Sequence, residues 1–343
     1  MIPAPPPAPQ PAAPAAVAAD WRLAWREAVR DPAELLRMLE LPGLAARVSA
    51  SATAQFPLRV PRGFVARMRK GDPDDPLLRQ VLPLDEEERP VPGFVHDAVG
   101  DLAAGGAAGV LHKYRGRALL VATGSCAIHC RYCFRRHFPY AEQTAAAGRW
   151  KEALDDLAAH PDVEEVLLSG GDPLSLSTAK LAEFGQGLAA LPQVRRLRLH
   201  TRLPVVLPER VDAELLAWLA AQARARQLVV VIHANHANEL DASVDRALAG
   251  LREAGATLLN QAVLLRGVND SVEALADLSE RLFAAGVLPY YLHQLDRVAG
   301  TAHFEVAEDR ARALHAGLAA RLPGYLVPRL VREVAGAPAK TPL

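Results

Sequence analysis

The chain has 343 residues, half of them hydrophobic, and its Lys+Arg and Asp+Glu counts balance at 39 each. That length supports one large α/β domain or two smaller ones, and a formal net charge of zero excludes a global pull toward nucleic acid or a membrane surface. The three cysteines fall in a single short stretch, which excludes the disulfide framework of a small secreted protein.

Residues 1–19 are Pro/Ala low complexity and read as an extended tail. This stretch has neither the positive start nor the leucine-rich centre of a signal peptide. No unbroken apolar run reaches transmembrane length, so a soluble cytoplasmic protein without membrane or nucleic-acid partners is expected. Helical periodicity begins at Trp21. Asp31-Pro32 reads as a helix start, with a capping carboxylate followed by a first-turn proline, ahead of Leu35, Leu36 and Leu39. From Phe56 to Pro92 the chain is rich in proline and charge. Phe64, Val65, Leu77, Leu78 and Leu82 still need cover there, so it reads as loops and short helices, not as a linker. The acidic run Asp85 to Glu88 reads as solvated surface and receives no role. Residues 20–111 are thus an expected N-terminal helical and loop extension.

From Arg117 a regular alternation sets in. Strand-like runs at 117–124, 164–171, 195–202, 227–235, 256–265 and 287–295 alternate with helical stretches near 148–160, 178–190, 211–224, 238–254 and 271–285. Such alternation predicts parallel βαβ units. Six units are too few for an eightfold barrel and predict an α/β fold with an open, partial (β/α)6 TIM-like barrel over residues 112–305. A C-terminal segment, 306–343, follows, in which Gly324 to Glu333 is apolar enough for a last strand. Each barrel strand ends in polar chemistry: the cysteine loop, Ser169 to Asp172, Thr201-Arg202, His233 to His236, Asn260-Gln261, and His293 to Asp296. In a barrel these ends gather at one mouth, where such folds carry their chemistry.

The cysteines have the spacing C-x3-C-x2-C: Cys126, Cys130 and Cys133. Three thiolates on one loop suit an iron–sulfur cluster or zinc. A four-iron cluster held by three cysteines leaves one iron open, the arrangement of the S-adenosylmethionine (SAM) radical signature. A three-Cys, one-His zinc site using His129 or His137 is the alternative, as is a disulfide with a spare thiol. Ser169-Gly170-Gly171-Asp172 stands at a strand-to-helix turn whose glycines permit close backbone approach to a cofactor. Arg135 offers a planar fork for a carboxylate. Near the end, Lys340 is followed by Thr-Pro, and a lysine held in a pocket can form a Schiff base with pyridoxal phosphate (PLP). His233 and His236 have the look of a metal pair, but hydrogen-bonded barrel histidines are the simpler reading.

From about His112 to Leu343 these motifs occur in order together with TRLPVVLPER (201–210), IHANHANE (232–239), NQAVLLRGVND (260–270), PYYLHQLD (289–296) and the terminal KTP. The chain resembles the lysine 2,3-aminomutase family, radical SAM enzymes that also carry PLP, and within it the elongation factor P β-lysylation branch. The resemblance implies that Cys126, Cys130 and Cys133 hold a [4Fe-4S] cluster. It implies that Ser169, Gly170, Gly171 and Asp172 meet the methionine moiety of SAM, and that Lys340 carries PLP. Arg135 matches the residue that pairs with the substrate carboxylate, and Asp296 the one that receives its ε-ammonium. Glu333 stands where the family has a second ammonium-binding aspartate. Lys113, Tyr114 and Arg117 match a basic strip near PLP, and Gln261 a polar residue of the same mouth. The implied reaction moves the amino group of lysine from Cα to Cβ, the β-lysine passing to the ligase that modifies elongation factor P, with room for a homo-oligomer. The same fold acting on glutamate is an alternative that Asp296 opposes by charge, and a non-catalytic zinc-binding protein is the alternative from another class.

Overall fold

In the computed structural model the described residues are 20–102, 109–140, 144–145 and 150–343; the Pro/Ala tail lies outside them. Nine strands form one sheet whose spatial order follows the chain. β1 (Val110–Tyr114) runs antiparallel to β2 (Arg117–Thr123). β3 (Glu165–Gly170), β4 (Arg196–Thr201), β5 (Gln227–Ile232), β6 (Thr257–Val263), β7 (Leu288–His293) and β8 (Arg329–Arg332) then add in parallel, and β9 (Thr341–Pro342) returns antiparallel on β8. The edges β1 and β9 do not pair with each other, so the barrel is open. It has one more parallel strand than the sequence pattern predicted.

Among the described residues, five short helices precede the sheet: α1 (Trp21–Arg26), α2 (Pro32–Met38), α3 (Ala50–Gln55), α4 (Arg62–Val65) and α5 (Pro76–Arg79). Asp31 caps α2 as predicted, its carboxylate accepting from the Ala33 amide at 2.9 Å. The connections between strands carry α6 (Trp150–Ala159), α7 (Thr178–Leu188), a single turn α8 (Leu203–Val206), α9 (Ala213–Ala225), α10 (Ala242–Glu253), α11 (Val272–Ala284) and α12 (Glu308–Arg321). Among the described residues no helix is long and apolar enough to cross a membrane.

Strand alternation divides the sheet into two unlike faces. Ala118, Leu120, Val166, Leu168, Leu197, Leu199, Leu228, Val230 and Leu258 point outward, are buried, and pack on Leu157, Phe184, Leu219, Leu248 and Leu282 of the surrounding helices. Each such Val, Leu or Phe side chain contributes roughly 1.5–3 kcal/mol on burial. The residues between them share the inner face. Register pairs Arg117 with Glu165, Val121 with Ser169, and Gln261 with Tyr291. Arg198, His200 and His293 fall on the same face, and Arg198 bonds Glu165 there. The barrel therefore encloses a polar chamber, not a second apolar core.

The N-terminal extension belongs to the barrel's own core. Leu35, Phe64, Leu77 and Leu78 are fully buried in the same cluster as the strand residues. The acidic run is not solvated surface: Glu87 is buried and bonds Arg131 Nη2 at 2.6 Å and Arg136 Nη2 at 2.7 Å. Two guanidiniums on the cysteine loop supply the countercharge that lets this one carboxylate of the run turn inward.

Candidate active site

The cysteine loop continues β2 and is pinned from below by the extension. The His129 amide donates to the Arg59 carbonyl at 3.0 Å and the Arg131 amide to the Gln80 carbonyl at 2.9 Å. The Arg131 guanidinium adds the carbonyls of Phe56 and Ala52. With its non-cysteine residues held this way, the loop leaves all three cysteines partly accessible on its free side. Among the described residues, one trio of potential metal ligands has donor atoms within 4.8 Å of one another, and it does not include the cysteines. Both histidines of the zinc alternative are engaged elsewhere, His129 Nδ1 with the Pro57 carbonyl and His137 Nε2 with the Ala299 carbonyl. Burial, aided by neighbouring negative charge, pushes the Cys133 thiol up to about 11 and the Cys126 thiol well above its ordinary value. A cationic centre reverses that penalty.

Arg202, at the end of β4, lies against this loop. Its buried guanidinium is 2.7 Å from Cys130 Sγ, 2.6 Å from the Tyr132 hydroxyl, 2.7 Å from Gln80 Oε1 and 2.9 Å from Glu239 Oε2. Asn235 completes the network through Gln80 and Tyr132. His233 bonds the Tyr132 hydroxyl at 3.0 Å, and burial pushes its pKa down to about 3. His236 Nδ1 accepts from the Asn238 amide. The two histidines are satisfied without a metal.

The Ser-Gly-Gly-Asp turn abuts the start of the cysteine loop, backbone to backbone. The Gly171 amide donates to the Thr123 carbonyl at 2.6 Å and the Asp172 amide to the Ser125 carbonyl at 2.8 Å. Gly170 has φ +113°, and a Cβ on Gly171 would lie 2.5 Å from the Ser125 oxygen. Only glycine fits both positions. Gly171→Ala is expected to cost about 1–3 kcal/mol and to lower iron retention after reconstitution; melting temperature and iron assay check it. The Asp172 carboxylate is buried and takes hydrogen bonds from the Leu174, Arg202 and Leu203 amides and the Thr201 hydroxyl. It ties the ends of β3 and β4 together.

On the opposite edge, β9 carries Lys340 back to the chamber. Lys340 Nζ is 2.7 Å from Glu333 Oε2 and 5.8 Å from the centroid of the inward Tyr291 ring. Tyr114 donates to Glu333 Oε1 at 2.6 Å, so Glu333 bridges the open gap between β1 and β8. Burial opposes its ionisation, but Lys340, Tyr114 and Lys113 together hold it below the usual carboxylate range. His200 and His293 are kept neutral by burial, with Lys340 adding to the effect.

Lys113 Nζ lies 2.5 Å from Asp101, which also takes Arg135 Nε at 2.7 Å. Arg135 Nη1 in turn reaches the Ser169 hydroxyl at 3.1 Å. An ionic chain thus links Lys340 through Glu333, Lys113 and Asp101 to Arg135 beside the cysteine loop. Asp296 is the exception. Among the described residues its carboxylate has no hydrogen-bond or ion-pair partner, and burial raises its pKa to about 7, with Glu333 and Asp101 adding and Lys340 and Lys113 opposing.

Of the residues singled out from sequence, Arg135, Asp296, Glu333, Lys340, Lys113 and Tyr114 share this chamber, and Gln261 lines its wall beside Tyr291. Arg117 is the register partner of Tyr114. It opens β2 at the end away from the cysteine loop, half-exposed, 3.8 Å from Glu165 and 5.6 Å from the Tyr114 ring centroid. Asp101 and Arg202 were not singled out as site residues. Arg202 carried a signal, a strand-terminal charge inside TRLPVV; Asp101 carried none.

Residues 120–279 match the Radical SAM superfamily. The chain is 50% identical over 321 residues to the L-lysine 2,3-aminomutase of Escherichia coli (strain K12), covering 92% of both chains. It is 46% identical over 314 residues to the L-lysine 2,3-aminomutase of Haemophilus influenzae, again with 92% of both covered. To that of Clostridium subterminale it is 34% identical, over 82% of this chain and 67% of the relative. A solved radical SAM methyltransferase from Sphaerobacter thermophilus aligns with TM-score 0.43 at 18% identity, covering 65% of this chain and 68% of that one. The chain therefore belongs to the L-lysine 2,3-aminomutase family within the radical SAM superfamily, and is an isomerase of the aminomutase type.

Proposed function

We propose that the protein converts L-lysine to β-lysine, with a [4Fe-4S] cluster on Cys126, Cys130 and Cys133, SAM at the Ser169–Asp172 turn, and PLP on Lys340. The observation that supports the substrate assignment is the Asp296 carboxylate, which has no hydrogen-bond or ion-pair partner among the described residues and lies near Lys340, Glu333, Lys113 and the Asp101 that holds Arg135. When bound, the cluster and SAM supply a hydrogen-abstracting carbon radical, and PLP supplies the delocalising partner for amino-group migration. The protein's part is placement and exclusion of water. Glu333, ion-paired with Lys340 at 2.7 Å, holds that amine at the chamber wall. With PLP on Lys340, the ionised Glu333 carboxylate would be left free to join Asp296 in receiving the ε-ammonium of lysine. Arg135, steadied by Asp101, presents its remaining donors to the α-carboxylate. A substrate gripped at both ends exposes its middle carbons to the radical.

Anaerobic reconstitution with iron, sulfide, SAM, PLP and a reductant, followed by chromatography of lysine isomers, tests the reading. β-Lysine must form only when all are present; turnover of glutamate but not lysine would transfer the assignment to the acidic substrate. Asp296→Ala is expected to lower kcat/KM for lysine about 100-fold, the loss of one charge-assisted hydrogen bond in a buried site. Because Asp296 titrates near 7 and an ammonium binds its ionised form, lysine affinity rises from pH 6 to 8. Binding below pH 7 releases a proton. Calorimetry in buffers of different ionisation heat measures this, and Asp296→Asn should flatten the profile.

The further link, supply of β-lysine to the ligase acting on elongation factor P, rests on the chain's likeness to its compact relatives: 92% of the Escherichia coli protein is covered against 67% of the clostridial one. The check is whether the reaction product, presented to that ligase, adds one β-lysyl mass to the factor.

A further inference from the structure

We infer that the outer face of the barrel carries a second metal site, for a borderline transition ion such as Zn2+, formed by His112, Asp156 and His160. These three donors, one from each residue, lie within 4.8 Å of one another. His112 Nε2 is 2.7 Å from Asp156 Oδ2, and His160 Nδ1 is 3.6 Å from the same oxygen and 2.8 Å from the Asp156 carbonyl, a bond within one helix turn that the ion would replace by a ring rotation. The two imidazole rings face each other with centroids 4.4 Å apart. Metal bonds of about 2.0–2.1 Å in tetrahedral geometry space donors by roughly 3.3 Å, between the two distances observed. Two imidazoles and one carboxylate are the ligand set that zinc takes with a fourth position left to water. That position is open here, since the side chains of His112, Asp156 and His160 are 30%, 17% and 46% exposed. Charge favours a cation as well: Glu152 lies one turn before Asp156 on the same helix, and Lys151 is taken up by Asp155 at 2.6 Å.

The local fold explains the convergence. Asp156 and His160 stand four residues apart, at the last turn of α6 and the residue just beyond it, so their side chains project from one side. His112 is in β1, where alternation sends it outward while Lys113 turns inward to Asp101. β1 is an edge strand held in the sheet by β2 alone. An ion here clamps that edge to α6 and so fixes the strand that delivers Lys113 and Tyr114 to the chamber. The site shares no residue with the cysteine loop.

The test uses the full-length, tag-free protein with its cluster reconstituted, titrated anaerobically with Zn2+ against a fluorescent chelator, with iron counted in parallel. One zinc per chain should bind at micromolar concentration or tighter with iron unchanged. The melting temperature should rise by about 3 °C or more. His112→Ala and His160→Ala should each weaken that zinc about 50-fold or more while keeping the cluster's absorbance. Zinc-edge anomalous diffraction should place the ion between α6 and β1. Equal zinc affinity in the wild type and both variants, zinc uptake only with loss of iron, or no zinc bound at about 100 μM overturns the site.

Discussion

Lys340→Ala is expected to leave a folded, iron-loaded protein that turns over lysine about 1,000-fold more slowly or not at all, and that gains no pyridoxyl mass after borohydride reduction with PLP. The wild type should gain one such mass, mapped to the C-terminal peptide. Lys340 directly precedes the exposed two-residue strand Thr341–Pro342, so its removal costs the core nothing. What is lost is the amine 2.7 Å from Glu333 and above Tyr291. Lys340→Arg keeps the charge against Glu333 but cannot form the imine, and it should be equally inactive. If it retains activity, the amine's role is electrostatic and the PLP assignment is wrong.

The largest structural loss is expected at Glu87. Glu87→Ala leaves Arg131 and Arg136 buried without their carboxylate, both side chains being nearly inaccessible. Stranding one partner of a buried ion pair costs about 3–5 kcal/mol, and here a single carboxylate serves two. Arg131 also anchors the loop between Cys130 and Cys133 to the Phe56 and Ala52 carbonyls, so the defect falls on the cluster ligands themselves. The variant should show lower stability to urea and a sharply reduced iron content, with far-UV circular dichroism near wild type. Normal iron loading with unchanged stability would mean that the extension does not brace the cysteine loop.

The strands were legible because each carries outward-facing apolar residues dense enough to stand out between helical stretches. The seventh parallel strand escaped because its paired part is four residues, Arg329–Arg332, with charge at both ends and only Leu330 and Val331 apolar. It was seen as a closing strand but not as a barrel unit. The inner face was harder to read, since β4 alternates buried and half-buried positions where a strand covered on both sides would be continuously apolar. Arg117, read from sequence with Lys113 and Tyr114, stands opposite Tyr114 across the tight β1–β2 hairpin, at the end of β2 away from the cysteine loop. Glu87 and Asp101 were not legible for a different reason. An acid's burial depends on arginines 44 and 34 residues away, and nothing local in the sequence announces such partners. The cysteines and Lys340 were legible because their chemistry is carried by residue type and spacing rather than by packing.

The central claim is that the sulfur-bearing loop at one side of the chamber and the amine at the chain's end serve one reacting molecule. An anaerobic crystal structure of the cluster-loaded protein with SAM, PLP and lysine tests it most directly. The account predicts PLP bonded to Lys340 Nζ inside the barrel, with lysine between Arg135 and Asp296 and its β-carbon in contact with the adenosyl moiety of SAM. PLP bound outside the barrel, or lysine with its ε-ammonium away from both Asp296 and Glu333, would contradict it.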